Sequence, residues 1–365
     1  MCTPASGASL SCPSAVRISV STVLHPNEQE PHVKTHANNR NSFIGVFVLL
    51  SLGLITPAAA QLSNLAPEVG AKIAAMGPQF SQEVVGGTFP LFAPYAKAAR
   101  LTGVNVARDI AYGADPLNKL DIYQPEGKRG MPIVAFVHGG GYVGGDKNAN
   151  GIFFGNVTAY FARHGMLGVN INYRLAPKNP FPAASEDLDS AVAWIRENGE
   201  KYGGDPGRIF LFGHSAGATH VASYLFDASL HPRSGGISGA VLVSGLYRIT
   251  GEIPLPGIKA YFGADAAQYA ARAPISHVKE NRTPLFLVMA EYDPPFLATD
   301  SFELAREVCV RDGKCPRFTW LKGHNHVSQV ASFDSPDEEL GLQILGFIRN
   351  TSGPTKTDAK QAGVQ

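Results

Sequence analysis

The sequence has no excess of charge of either sign. Its 365 residues include 31 Lys and Arg against 30 Asp and Glu, for a formal net charge of +1. It contains no run of basic residues interleaved with aromatics, no long heptad stretch and no internal repeat. A near-neutral chain of this kind gives no electrostatic case for binding nucleic acid or an anionic membrane surface. Because 44% of the residues are hydrophobic and 17% are charged, we expect a globular protein with a large core.

Long uncharged apolar runs are also scarce, and the most prominent lies near the N-terminus at Phe43–Ile55. Lys34 and Arg40 precede it, and the small-residue stretch Thr56–Ala60 follows it. This order is typical of a secretory signal peptide, so we expect a leader over residues 1–60, a hydrophobic region at 43–55 and cleavage after Ala60. The alternative is an N-terminal membrane anchor, which needs a longer run of about 20 residues. The mature protein is therefore expected to be exported, either periplasmic or secreted, with no stable membrane span.

Cysteine is the third scarce feature. Of four cysteines, Cys2 and Cys12 fall in the predicted leader, and Cys309 and Cys315 flank the short segment Val310–Lys314. In an oxidising compartment this second pair could close a small loop, which would contribute on the order of 2 kcal/mol. Two unlinked thiols are the alternative, and the sequence leaves both open because geometry decides whether a disulfide forms.

Short apolar runs alternate with amphipathic stretches over residues 106–350, which predicts an α/β domain with a mostly parallel sheet. Residues 61–105 are predicted to form a helical cap segment, and residues 351–365 a disordered tail. The position of a second insertion, Leu246–Val278, also fits a cap over the site, and inert packing is the alternative for both segments. The eight predicted strands are Val106–Tyr112, Lys119–Tyr123, Ile133–Val137, Gly168–Tyr173, Arg208–Phe212, Ala240–Ser244, Leu285–Ala290 and Phe318–Leu321. The main predicted helices are Ser185–Tyr202, Ala216–Phe226, Asp300–Arg311 and Glu338–Arg349.

The most informative motif is Gly213-His214-Ser215-Ala216-Gly217, which lies between a buried apolar run and a helical pattern. A Gly-x-Ser-x-Gly sequence in a strand–turn–helix context indicates a nucleophile elbow, which presents a serine hydroxyl at the carboxyl edge of a sheet. An ordinary strand-to-helix turn is the alternative for the pentapeptide alone. Upstream, a strand runs into His138-Gly139-Gly140-Gly141-Tyr142. Backbone N–H groups of such a loop can stabilise an oxyanion, so the two motifs together predict a serine hydrolase.

These motifs resemble the hormone-sensitive-lipase-like family of α/β-hydrolase carboxylesterases over nearly the whole segment from Val106 to Arg349. The resemblance is densest at Tyr173–Pro177, Phe181–Ala184, Asp187, Trp194, Gly204–Pro206 and Arg208-Ile209. It implies an α/β-hydrolase fold with a mostly parallel eight-stranded sheet, flanking helices and a helical cap. It also implies hydrolysis of small to medium esters with no metal and no organic cofactor. The chain departs from the family at His214, Ala218 and Tyr142, which are usually an acid, a glycine and a tryptophan.

The order serine, acid, histidine along this fold predicts the partners of Ser215. Asp293, which follows a late apolar run and begins an Asp-Pro pattern of the family, is the predicted acid, and Glu291 is the alternative. The family places its base just before an apolar residue that opens a helix, and this implies His326 rather than His324. Two histidines alone make a poor metal site because a zinc ion needs further ligands.

The remaining site predictions concern the oxyanion and the pocket. The backbone N–H groups of Gly140, Gly141 and Ala216 are predicted to form the oxyanion hole, with Tyr142 as a wall of the substrate pocket. His138 is predicted to shape its loop through hydrogen bonds. His214 is predicted to point away from the nucleophile, as a packing or loop-anchoring residue.

Three functions stay open at this point. The leading one is a carboxylesterase that acts through an acyl-enzyme, with a small-molecule ester as its partner. An arylformamidase or another amide hydrolase could use the same residues, because the two reactions differ in the leaving group. A non-catalytic ligand-binding protein of the same fold is the third. The sequence leaves the oligomeric state open, a homodimer included.

Overall fold

The computed structural model describes residues 64–98, 101–231 and 236–352 of this chain. The predicted leader over residues 1–60 lies outside the described residues and stays a prediction. Of the predicted disordered tail at 351–365, Thr351 and Ser352 instead form the end of a helix, and the rest lies outside the described residues. Within the described ranges, no helix is both long enough and apolar enough to cross a membrane.

The centre of the molecule is one eight-stranded sheet with the order β1-β2-β4-β3-β5-β6-β7-β8. β1 pairs antiparallel with β2, and β2 pairs antiparallel with β4, whereas every pairing from β4 through β8 is parallel. The predicted eight-stranded, mostly parallel sheet is confirmed. The strands are β1 Val104–Ala111, β2 Lys119–Pro125, β3 Met131–Val137, β4 Leu167–Ile171, β5 Gly204–His214, β6 Gly239–Val243, β7 Leu285–Tyr292 and β8 Arg317–Asn325.

Helices cover both faces of this sheet because its central strands are apolar on both sides. Along β3, Ile133 and Ala135 pack into one core cluster, whereas Val134 and Phe136 pack into another on the opposite face. This alternation follows the two-residue period of a strand. The α-helices are α1 Pro67–Met76, α2 Gln82–Ala98, α3 Gly155–Arg163, α4 Ala183–Asn198, α5 Ala216–Phe226, α6 Gly257–Phe262, α7 Tyr269–Arg272, α8 Pro295–Asp312, α9 Ser328–Ala331 and α10 Glu339–Ser352.

Several boundaries differ from the predicted ones. β8 continues to Asn325, beyond the predicted end at Leu321, because backbone pairing with β7 extends past the last apolar residue and joins Tyr292 to Asn325. α8 begins at Pro295, earlier than the predicted Asp300, because proline is well suited to the first turn of a helix. The predicted helix Ser185–Tyr202 is α4 followed by a 3₁₀ turn at Gly199–Tyr202.

Cys309 and Cys315 form a disulfide. Cys309 lies in the last turns of α8, and Cys315 lies just before β8. α8 ends at Asp312, and the next residue, Gly313, has a positive φ of 65°, which is common just after a helix. The disulfide therefore closes the turn between α8 and β8.

Replacing both Cys309 and Cys315 with serine should lower the free energy of unfolding by about 2 kcal/mol, because a short disulfide loop restricts the unfolded chain. Urea unfolding of the mature protein, measured without reductant, gives this difference. Dithiothreitol serves as the control: it should destabilise the wild type by the same amount and leave the double variant unchanged. Equal midpoints for both proteins without reductant would contradict the prediction.

Candidate active site

Ser215 lies between the end of β5 and the first residue of α5, in a backbone conformation that few non-glycine residues adopt. Its φ is 55° and its ψ is −125°. The turn is tight on both sides. A Cβ at Gly213 would lie 2.6 Å from the Cα of Ala218, and one at Gly217 would collide with the carbonyl oxygen of Val137. Such a strained strand-to-helix turn is the geometry of a nucleophile elbow.

His326 and Asp293, the predicted base and acid, are joined by a hydrogen bond. The distance from His326 Nδ1 to Asp293 Oδ1 is 2.9 Å, and the two residues are 2% and 4% exposed. Nε2 of His326 has no hydrogen-bond partner among the described residues. His326 and Ser215 line the same two cavities. The fold therefore brings the three predicted residues together, although they lie on three different segments of the chain.

The carboxylate of Asp293 is held by two further donors. The Ser244 hydroxyl donates to Asp293 Oδ2 at 2.5 Å, and the Ala290 backbone N–H donates to the same oxygen at 2.7 Å. Gln329 Nε2 in turn donates to the Ser244 hydroxyl oxygen at 2.8 Å. Neither Ser244 nor Gln329 was predicted from the sequence. Ser244 could have been considered, because it follows a buried strand and so lies at the carboxyl edge of the sheet.

The two alternatives to the predicted acid and base lie elsewhere. Glu291 is exposed and accepts the backbone N–H of Gly323 at 2.8 Å. His324 is buried, with Nε2 2.7 Å from Asp337 Oδ2 and Nδ1 3.0 Å from the Ser328 hydroxyl. His324 and His326 thus engage separate carboxylates, and the pair is not arranged to hold one metal ion.

The glycine loop after β3 lies against the elbow. Gly140 and Gly141 have φ values of 145° and 59°, in the left-handed region that favours glycine. A Cβ at Gly139 would lie 2.8 Å from the Cβ of Ser215, so the loop approaches the nucleophile closely. The Ala216 N–H belongs to the first residue of α5, where backbone N–H groups lack a partner within the helix. The predicted oxyanion residues are therefore adjacent to Ser215.

His138 has the shaping role predicted for it. It is buried, its Nδ1 donates to the Gly139 carbonyl at 2.7 Å, and its ring stacks on Tyr173 at a centroid distance of 4.5 Å. The Tyr173 hydroxyl donates to the His138 carbonyl at 2.7 Å. Burial lowers the pKa of His138, so the imidazole is neutral near pH 7.

His214 has the loop-anchoring role predicted for it, but its ring, which was predicted to point away from the nucleophile, lies beside that of His326 and lines the larger cavity with Ser215. Its Nε2 donates to the backbone carbonyl of His326 at 2.8 Å, and the two ring centroids are 4.8 Å apart. Burial, with a smaller repulsive contribution from His326, lowers the pKa of His214 to about 3. A neutral His214 therefore anchors the loop that carries the predicted base.

The N-terminal helical segment also contacts this loop. Asn325 Nδ2 donates to the hydroxyl of Thr88 on α2 at 2.8 Å, and Asn325 Oδ1 accepts the backbone N–H groups of Val327 and Ser328. Phe80, in the linker between α1 and α2, lies edge-on to the His326 ring at a centroid distance of 5.2 Å. Neither contact was predicted from the sequence, because both join positions far apart in the chain.

Tyr142, the predicted pocket wall, is 2% exposed but lines the smaller of the two cavities at Ser215. Its hydroxyl lies 3.1 Å from the Thr219 hydroxyl, and its ring stacks on Tyr261 of the Leu246–Val278 insertion. A Cβ at Gly257 of the same insertion would collide with the Gly141 carbonyl oxygen. The insertion therefore packs directly against the glycine loop that follows β3. A larger open groove of about 860 Å³, next to Arg174 and Asp187, contains none of the predicted site residues.

Asp300 on α8 fixes the start of this insertion. Its Oδ2 accepts the backbone N–H groups of Tyr247 and Arg248, the latter at 2.9 Å. Burial is the main influence on the Asp300 carboxyl and raises its pKa to about 6, because the two N–H donors offset only part of the loss of hydration. The carboxyl is therefore partly protonated in mildly acidic solution.

Comparisons with known proteins give matches to two families and to several solved structures. The sequence pattern of the BD-FAE family matches residues 120–227, and that of the prolyl oligopeptidase family matches residues 183–354. Among solved structures, a hyperthermophilic esterase from the archaeon Pyrobaculum calidifontis superposes with a TM-score of 0.62 at 22% identity, covering 79% of this chain and 99% of the esterase. A bacterial heroin esterase superposes with a TM-score of 0.61 at 23% identity, covering 80% of this chain and 98% of the other.

Curated relatives match over shorter segments. Esterase LipQ of Mycobacterium tuberculosis is 31% identical over 209 residues, which is 51% of this chain and 48% of that protein. A probable isoprenylcysteine alpha-carbonyl methylesterase of rice, Oryza sativa, is 35% identical over 161 residues, 43% of this chain and 34% of that protein. The chain thus matches a half or less of the length of these relatives.

The sheet, the flanking helices and the superposed structures show that the chain has the α/β-hydrolase fold. The segments that match named esterases agree with the resemblance to the hormone-sensitive-lipase-like carboxylesterases that the sequence motifs indicated.

Removing the hydrogen bond from His214 to the His326 carbonyl should slow turnover by loosening the loop of the predicted base. We expect His214→Leu to lower kcat about 3- to 10-fold, since a hydrogen bond contributes about 0.5–1.5 kcal/mol. His214→Gln can retain a donor near the position of Nε2 and should restore most of this loss. Steady-state kinetics on a short-chain ester measure both variants. A glutamine variant as slow as the leucine variant would contradict the anchoring role.

The raised pKa of Asp300 predicts how its contribution to stability depends on pH. A carboxyl with an ordinary pKa of 3.8 when unfolded and about 6 when folded contributes its full stability below pH 3.8 and loses it as the pH rises through 6. Asp300→Asn removes this titration. Between pH 4 and 7 the stability of the variant relative to the wild type should rise by roughly 2–3 kcal/mol. Urea unfolding at both pH values tests this, and a difference that does not vary with pH would contradict it.

Proposed function

We propose that this chain is a serine carboxylesterase that hydrolyses small to medium esters through an acyl-enzyme. The observation that carries the proposal is the buried His326–Asp293 hydrogen bond, which leaves Nε2 of His326 free beside the elbow serine. Neither cavity at Ser215 exceeds about 210 Å³, below the roughly 300–1,000 Å³ of pockets for larger ligands. This size supports small substrates.

In the proposed first step, Ser215 Oγ attacks the ester carbonyl carbon while its proton passes to Nε2 of His326. The negative charge that develops on the carbonyl oxygen would be stabilised by the N–H groups of Gly140, Gly141 and Ala216. Asp293 orients the ring of His326 through Nδ1 and stabilises the imidazolium. The proton on Nε2 then goes to the departing alcohol oxygen, which leaves Ser215 acylated.

In the second step a water molecule takes the place of the alcohol. His326 accepts a proton from this water as its oxygen attacks the acyl carbon, and then returns that proton to Ser215 Oγ. The carboxylic acid is released and the serine is regenerated. The buried hydrogen bond from Ser244 to Asp293, with Gln329 donating to Ser244 behind it, keeps the acid in place throughout the cycle.

Amide hydrolysis is the second candidate, supported by the match to the prolyl oligopeptidase family over residues 183–354. An amide nitrogen must be protonated by His326 as it leaves. An alkoxide is a less basic leaving group, so it depends less on this proton transfer. The named esterases among the relatives favour the ester. Parallel assays with a p-nitrophenyl ester and the corresponding p-nitroanilide separate the two reactions.

We also propose that the mature protein acts outside the cytoplasm. The signal-like segment 43–55 supports export, and the disulfide between Cys309 and Cys315 suits an oxidising compartment. Mass spectrometry of the protein from its native host, with an N-terminus at Gln61, would support this.

The proposed esterase activity should depend on Ser215. Mature protein should hydrolyse short p-nitrophenyl esters and react with a fluorophosphonate probe, and Ser215→Ala should lose both properties, with turnover reduced by at least about 10⁴-fold. Ala222→Ser, a buried change on α5, the helix that follows Ser215, serves as a control for folding and should keep both properties. A folded wild-type protein that cleaves no ester or anilide and takes up no probe would favour the non-catalytic alternative.

A further inference from the structure

Two cavities meet at Ser215, and their volumes differ widely. One has a volume of about 10 Å³ and the other about 210 Å³. The first has room for about one water-sized group, whereas a cavity of about 150 Å³ can already hold a benzene ring. The acyl side and the alcohol side of a bound ester would therefore have very different volumes available to them.

Apart from Phe80, the walls of the small cavity are apolar side chains of several packed elements. Leu246 and Leu255 come from the cap insertion, and Phe296 and Leu297 come from the first turn of α8. Tyr142 closes the cavity beside the glycine loop and is itself packed against Tyr261 and Phe262. These elements leave Phe80 as the exposed side chain whose position limits the volume of this side.

The large cavity is lined by the N-terminal segment and by the helices around the base. Val85 and Phe89 of α2 face Phe154, and Val327 and Val330 follow His326. Nearly all of this surface is apolar, so the cavity suits an alkyl or aryl group rather than a polar one.

Phe80 is the residue that lines both cavities besides Ser215 and His326. It lies in the linker between α1 and α2, 38% exposed, with its ring perpendicular to the His326 ring. Its side chain thus stands at the point where the two cavities would otherwise join.

We propose that Phe80 divides the site into two unequal subsites, so that the enzyme selects esters with one methyl-sized end and one longer apolar end. The inference rests on the proposed esterase function and adds a substrate class to it. Phe80 acts as a specificity-determining residue, because its ring limits the small side without taking part in the bond changes.

The size of the expected preference for unequal esters follows from the effect of one methylene group on the fit to an apolar pocket. One methylene more or less in a fitted apolar pocket changes kcat/KM by roughly 10- to 200-fold. An ester with a propyl group on each side of the ester linkage would have to place two surplus carbons in the small cavity. An isomer with a methyl group on one side would not.

Three isomeric esters test this with equal mass and similar hydrophobicity. Methyl hexanoate and pentyl acetate each carry one methyl-sized end, on opposite sides of the linkage, and propyl butanoate carries two equal ends. We expect one of the two unequal isomers to be hydrolysed with a kcat/KM at least about 10-fold above that of propyl butanoate. Which of the two is preferred assigns the small cavity to the acyl or the alcohol side.

Phe80→Ala should join the cavities and bring the ratio of unequal to equal isomer close to one, mainly by raising the rate for propyl butanoate. Phe302→Ala is the matched control, because Phe302 is an exposed phenylalanine on α8 that lines neither cavity, so its loss should leave the ratio as in the wild type. A disturbance of His326 would lower all three rates together and leave the ratio unchanged. Melting temperatures show whether each variant is folded.

Equal kcat/KM for the three isomers in the wild type would overturn the subsite assignment while leaving the esterase function intact. A folded Phe80→Ala variant that keeps the wild-type ratio would overturn it as well. No turnover of any isomer, with Ser215 unlabelled by a fluorophosphonate, would overturn the proposed function itself and the assignment with it. The wild-type ratio tests the unequal subsites by itself, so this part of the assignment can be overturned even where a Phe80 variant fails to fold.

Discussion

The hydrogen bond between His326 Nδ1 and Asp293 Oδ1 joins the loops that follow β8 and β7, and most of the candidate site is organised around it. Ser244, after β6, donates to the other oxygen of the same carboxylate. The buried carboxylate of Asp293, which follows β7, is thus held by residues that follow its two neighbouring parallel strands, β6 and β8. This is possible because parallel strands deliver their carboxyl ends to the same edge of the sheet, where the elbow after β5 also lies.

The loop of His326 is fixed by contacts beyond this bond. His214, next to the nucleophile, donates to its backbone carbonyl, and Asn325 ties it to Thr88 of the N-terminal segment. His324 and Asp337 hold its other end in the core. These donors and acceptors are buried, and a buried polar group left without a partner is costly, so the network favours a single arrangement of the loop. The N-terminal segment therefore contributes side chains to the candidate site.

Much of this arrangement could be predicted from the sequence. Apolar runs bounded by glycine and proline located all eight strands, and the elbow and glycine-loop motifs placed Ser215, Gly140 and Gly141 at strand ends. Resemblance to a family separated His326 from His324, which no local pattern could do. Strand ends were less predictable: β8 continues through Lys322–Asn325, across a shift in its register with β7, because backbone pairing rather than hydrophobicity extends the strand there.

The sequence by itself determined the fold class and indicated the residues of the candidate site, because periodicity and turn residues act over a few neighbouring positions. Tertiary structure alone decided the direction of His214, the support of Asp293 by Ser244, and the position of Phe80 between two cavities of unequal size. Each of these depends on contacts between segments far apart in the chain. Such contacts form only when the sheet, the insertion and the N-terminal helices pack together, and no local pattern encodes which side chains then meet.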